Sequence, residues 1–132
     1  MVKNYLDSIV QELIVSHVVS SFKVLKCEVG EEDGYTRIKC NLSNGDTLEF
    51  AEYIQISKNT IHLETYSFHW QSADGNLVKR WDNVKHHKEV GTYPYHLHLP
   101  NNTVIDSEPM NLKKVLAEIG KVLPIKESEG RR

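Results

Sequence analysis

The fold of this chain turns on the stretch Tyr35-Thr36-Arg37-Ile38-Lys39-Cys40-Asn41-Leu42-Ser43-Asn44-Gly45-Asp46 and its continuation Thr47-Leu48-Glu49-Phe50. Thr36, Ile38, Cys40 and Leu42 alternate with Arg37, Lys39 and Asn41, the period of two that sends successive side chains to opposite faces of a strand. Asn44-Gly45 supplies the positive φ angles of a tight hairpin, so the chain reverses there and the next segment returns antiparallel. Working outward, residues 23–29 alternate and end at the turn Glu31-Glu32-Asp33-Gly34. Downstream, 47–56 and 60–71 pair about Ser57-Lys58-Asn59, and Ala73-Asp74-Gly75-Asn76 turns the chain into 77–82. A short strand at 95–99 would be a sixth.

At the two ends the period changes. Leu6, Ile9, Val10, Leu13 and Ile14 fall on one helical stripe, which predicts a helix over 2–16. Leu112, Val115, Leu116, Ile119 and Leu123 repeat the pattern, with Ser107 or Asn111 as N-cap and Pro124 as the stop. The expected fold is therefore α+β, an antiparallel β-meander of about five to six strands flanked by an N-terminal and a C-terminal helix. Residues 1–123 form a single domain, and 124–132 a flexible tail. A chain of 132 residues with 39% apolar and 26% charged side chains suits one soluble core.

Composition narrows the function classes. Leu13-Ile14-Val15 falls far short of the ~20 apolar residues that cross a bilayer, and Asp7 and Glu12 interrupt any leader core, so neither membrane insertion nor secretion is expected. Cys27 and Cys40 are too few for a disulfide framework or a cysteine zinc site, and they read as reduced thiols of a cytoplasmic protein. A net charge of −2 excludes a global positive field for nucleic acid. The charge is uneven, however. Residues 28–52 carry seven acidic side chains against Arg37 and Lys39, whereas 76–98 carry Lys79, Arg80, Lys85 and Lys88 against Asp82 and Glu89. An anionic substrate meets the second stretch.

Five of the seven histidines, His69, His86, His87, His96 and His98, lie in the thirty positions 69–98, and six of the eleven aromatic residues lie between 66 and 95. Imidazoles beside cations can take a proton from one oxygen and give one to another near neutral pH. Exposed rings such as Trp70 and Trp81 can stack on bases, although both could equally be core residues, and Lys79, Arg80 and Lys85 can hold phosphates. The chemistry that needs little else is transesterification of RNA by its own 2′-hydroxyl. His86, His87, His96 and His98 would form the acid–base pool, Arg80 would stabilise the phosphorane, and Asp82 would orient an imidazole. His96 and His98 share a face if they lie on a strand, whereas adjacent His86 and His87 diverge unless the loop bends. The same spacing admits zinc or iron as an alternative, although H-E-x-x-H and paired cysteines are absent. The first reading has no metal and no cofactor.

Three ordered segments sharpen this picture: Tyr66-Ser67-Phe68-His69-Trp70-Gln71-Ser72-Ala73-Asp74-Gly75-Asn76-Leu77, then Arg80-Trp81-Asp82-Asn83 with His86-His87, then Tyr93-Pro94-Tyr95-His96-Leu97-His98. Together they resemble the TumE family of small prokaryotic toxins, whose pattern runs approximately Y-S-Y-H-W-Q-x-x-D-G-x-L, R-[YW]-D-N-A-P-H-H and F-P-H-H-x-H. Val84-Lys85 stands where the family commonly has Ala-Pro, and Tyr95 replaces the first histidine of its second pair. The resemblance implies the toxin half of a toxin–antitoxin module, with RNA as the suspected target and a helix-turn-helix antitoxin as partner. The motif residues it marks are His69, Trp70, Arg80, Trp81, Asp82, Asn83, His86, His87, His96 and His98. Residues and resemblance together assign substrate binding to His69, Trp70, Lys79, Trp81, Asn83, Lys85 and Tyr95. The expected activity is that of a metal-independent endoribonuclease inhibiting translation, with a homodimer possible. The alternatives are a histidine-rich metal-binding or small-ligand domain, and a toxin acting by protein binding. The antitoxin is expected to cover 83–98 or the exposed side of the C-terminal helix.

Overall fold

The structure, a computed structural model, describes residues 1–123; the expected tail at 124–132 lies outside them. The chain runs α1 (Val2–Val15), β1 (Val19–Val29), β2 (Asp33–Leu42), β3 (Thr47–Ser57), β4 (Thr60–Gln71), β5 (Leu77–Asp82), β6 (His96–Leu99), a 3₁₀ turn (Pro100–Asn102), β7 (Thr103–Asp106) and α2 (Leu112–Val122). The seven strands form one sheet in sequence order, each paired antiparallel with the next. This is the α+β meander that the alternation and turns predict, with more strands than expected. β1 starts earlier than its alternation shows because register shifts after Val19 and Val24 break the period of two. β7 is only four residues long and follows a turn in which Asn101 and Asn102 take φ of 67° and 63°, a conformation asparagine tolerates.

Both helices cover one face of the sheet. Val2, Leu6, Ile9 and Leu13 of α1 and Leu112, Val115, Leu116 and Ile119 of α2 are buried, most of them against Ile38, Cys40, Leu48, Phe50, Phe68, Trp70 and Trp81. The apolar stripe of α1 is narrower than its sequence pattern: Ile14 is 59% exposed, because one residue past Leu13 the helix has turned by about 100°. Asn111, the second of the two expected caps, closes the start of α2 by accepting a hydrogen bond from the Lys114 N–H at 2.9 Å.

The opposite face of the sheet carries no helix, and here register decides which side chains meet. Glu49 pairs with His69, His69 with Arg80, and Arg80 with His98, so these four form one row across four strands. The adjacent row is Ala51, Ser67, Asp82 and His96. Residues far apart in sequence are thereby neighbours on one surface.

Candidate active site

Asp82 is the centre of the arrangement. It ends β5, its side chain is 4% exposed, and its two oxygens serve three side chains. Oδ1 lies 2.8 Å from His96 Nε2, while Oδ2 lies 3.1 Å from Arg80 Nε and 3.4 Å from His98 Nε2. Oδ1 also accepts the Val84 N–H at 3.1 Å, which starts the next loop in a fixed direction.

The loop 83–95 then folds back over this face and is pinned at both ends. Asn83 accepts the Tyr66 N–H and donates to the Glu64 carbonyl, each at 2.9 Å. Farther on, Gly91 N–H donates to Asp106 at 2.8 Å, and Thr92 Oγ1 donates to the Tyr95 carbonyl at 2.7 Å. The bend delivers the His87 ring to within 4.9 Å of His96 and 5.3 Å of His98, centroid to centroid, while His96 and His98 are 4.8 Å apart. Glu89 Oε2 lies 3.0 Å from His87 Nδ1 and orients that ring.

The four acid–base candidates are therefore not equivalent. His98 and His87 have side chains 25% and 31% exposed and can touch a ligand. His96 is 1% exposed, with Nδ1 2.8 Å from the Pro94 carbonyl and Nε2 on Asp82, so it holds Asp82 in place instead of reaching substrate. His86 is exposed, and its ring centroid is 6.1 Å from that of His87, at the rim. Burial pushes the His98 imidazole below its ordinary value. The attraction of Asp82 opposes this, and His96, His87 and Arg80 add to the lowering.

The substrate-binding candidates also separate. His69 lies on the open face and, with Arg37, Glu49, Ser67, Arg80 and Val84, lines a cleft of about 470 Å³ beside Asp82. Arg37 and Glu49, ion-paired at 2.9 Å, become visible as neighbours of Arg80 only once the strand registers are known. Lys85 is exposed on the loop. Trp70 and Trp81 are 1% and 3% exposed on the helix-covered face, so neither indole can stack on a base. Trp70 donates from Nε1 to Asp46 at 2.9 Å and stands opposite Lys79, while Trp81 stands opposite Phe68. Lys79 shares that face, its Nζ 6.0 Å from the Trp81 ring centroid, and so lies away from the cleft. Asn83 is buried and anchors the loop, and Tyr95 stacks on Tyr66 at 6.5 Å against the core. A second hollow of about 540 Å³ at the far hairpin end is lined by Glu32, Asp33 and Glu64 and would repel an anion.

Fold and site define a class: a small α+β protein that gathers imidazoles, a guanidinium and a carboxylate on the open face of an antiparallel meander. Residues 6–123 match the family model described as Toxin TumE, and the chain belongs to that family. Membership carries a toxin role and, with it, a cognate antitoxin as partner. No curated protein and no solved structure matches the chain. No helix among the described residues is long and apolar enough to cross a membrane.

Proposed function

We propose that the toxin is a metal-independent endoribonuclease that stops translation by cutting RNA in the cytoplasm. The observation that carries this reading is the convergence of His98 and Arg80 on the buried Asp82 at a solvent-open face, with the His87 ring 5.3 Å from that of His98. In the reaction, one of the two accessible imidazoles removes the 2′-hydroxyl proton as that oxygen attacks phosphorus. The other protonates the departing 5′-oxygen, leaving a 2′,3′-cyclic phosphate and a 5′-hydroxyl. Arg80 balances the charge of the phosphorane. Asp82 and His96 are positioning residues: the carboxylate fixes Arg80 and His98 relative to each other, and His96 fixes the carboxylate.

The neighbouring cleft supplies a place for the flanking nucleotide, with His69 against the base and Arg37 available to a phosphate. His86 and Lys85 at the rim add contacts to the strand. A helix-turn-helix antitoxin covering 83–98 would close the face and silence the enzyme. The test is cleavage of a mixed-sequence RNA by purified protein in the presence of a chelator. His98→Ala combined with His87→Ala abolishes cutting on this account, and undiminished cutting by that variant refutes it.

A further inference from the structure

His87, His96 and His98 form a trio of imidazoles whose ligating nitrogens all lie within 4.8 Å of one another, the single such trio among the described residues. Two of the three are held from behind as metal-binding histidines are. The His96 Nδ1 faces the Pro94 carbonyl at 2.8 Å, and the His87 Nδ1 faces Glu89 Oε2 at 3.0 Å. In each ring this leaves Nε2 as the ligating atom, with its direction fixed by an acceptor on the far nitrogen. His98 Nε2 lies 3.4 Å from Asp82 Oδ2.

His96 makes the stronger argument. A backbone carbonyl can only accept a hydrogen bond, and an ionised carboxylate can only accept one. The buried ring has one at each nitrogen, Pro94 O on Nδ1 and Asp82 Oδ1 on Nε2. The geometry therefore leaves room between Nε2 and the carboxylate for a proton or for a metal ion. The donors beside that point are nitrogens of imidazole and one carboxylate oxygen, the set that suits a borderline-soft divalent ion and not a hard, oxygen-seeking one. Nitrogens around a tetrahedral ion with bonds of about 2.0–2.1 Å lie about 3.3 Å apart, so closing the trio asks His87 to move by on the order of 1 Å. His87 lies in the segment 85–89, which is mostly exposed and has no helix or strand to hold it.

We propose that His87, His96 and His98, with Asp82 as fourth ligand, bind a single Zn²⁺-class cation, and that the bound form of the toxin is inactive. An imidazole whose lone pair is on the ion can no longer accept the 2′-hydroxyl proton. The inhibitory half rests on the acid–base reading above, whereas the binding half does not.

The experiment titrates chelator-stripped full-length protein with Co²⁺, followed by visible absorption, and then displaces it with Zn²⁺. RNA cleavage is read on the same samples. One equivalent is expected to give a tetrahedral spectrum. Glu89→Ala is expected to weaken binding about 10–100-fold by freeing the His87 ring. His98→Ala abolishes the spectrum, and His62→Ala, altered at an exposed histidine elsewhere on β4, leaves it unchanged. Circular dichroism of each variant separates loss of ligand from loss of fold. Absence of saturable Co²⁺ binding, or binding indifferent to His98→Ala and Glu89→Ala, overturns the site. Cleavage that is faster with metal than without leaves the site standing but overturns both the inhibition and the metal-independent reaction. A protein that binds metal and never cuts RNA refutes the acid–base reading alone.

Discussion

Glu52 offers a perturbation whose size can be worked out before the experiment. It lies on the helix-covered face of β3, fully buried, where Tyr5 of α1 donates a hydrogen bond to Oε1 at 2.5 Å and Oε2 has no partner among the described residues. Burial pushes its carboxyl up from the ordinary 4.5 to about 7, against the opposing pull of the Tyr5 hydrogen bond. Between those two values the unfolded chain has released a proton that the folded protein still holds. The contribution of Glu52 to stability is therefore highest in acid, falls as pH rises through the interval and levels off above the folded value. The separation corresponds to ~3 kcal/mol of stability lost at alkaline pH. Glu52→Gln keeps the size and the acceptor for Tyr5 but cannot ionise. Urea unfolding followed by tryptophan fluorescence should show the two proteins nearly equal near pH 4. At about pH 8 the variant should be more stable by up to ~3 kcal/mol, since other titrating groups cancel in the difference. Parallel stability curves for the two proteins across that range would refute a buried, proton-holding Glu52.

The site and core make further claims. Asp82→Ala strips His96 and Arg80 of their shared acceptor and should cost about 3–5 kcal/mol in urea unfolding as well as activity, because it leaves buried polar groups unpaired. Asn83→Ala should cost about 1–3 kcal/mol through the two lost backbone hydrogen bonds, and should raise amide exchange across 84–90, read by mass spectrometry. Trp70→Ala should destabilise by about 3–5 kcal/mol, whereas His69→Ala, on the open face, should leave the unfolding midpoint nearly unchanged and weaken RNA binding.

Alternation and turn chemistry are local properties, and what depended on them was legible in the sequence. The hairpin at Asn44-Gly45, with Gly45 at φ 94°, the strands 33–82 and both helices follow from patterns a few residues long. Strands interrupted by bulges or only four residues long, such as the start of β1 and all of β7, carry too little period to be read. The site divides along similar lines. His96 and His98 share a face of β6 as their spacing requires, and Arg80 meets them because β5 and β6 are adjacent. Alternation cannot tell whether Trp70 and Trp81 belong to the core or to a binding surface, because an aromatic at a strand position looks the same on either face. Phe68, Trp70 and Trp81 are fixed inward by the helices that cover that side. Nor can spacing reveal that His96 is sealed while His87, on an irregular loop, turns toward it.

The central claim is that two reachable imidazoles and Arg80 cut RNA at its own 2′-hydroxyl. Mapping the ends made by the chelated, purified toxin tests it most directly. Fragments ending in 2′,3′-cyclic phosphate opposite 5′-hydroxyls, absent with His98→Ala, are the predicted result. Fragments ending in 3′-hydroxyls opposite 5′-phosphates, or RNA left whole by a folded protein that still poisons translation, would contradict it.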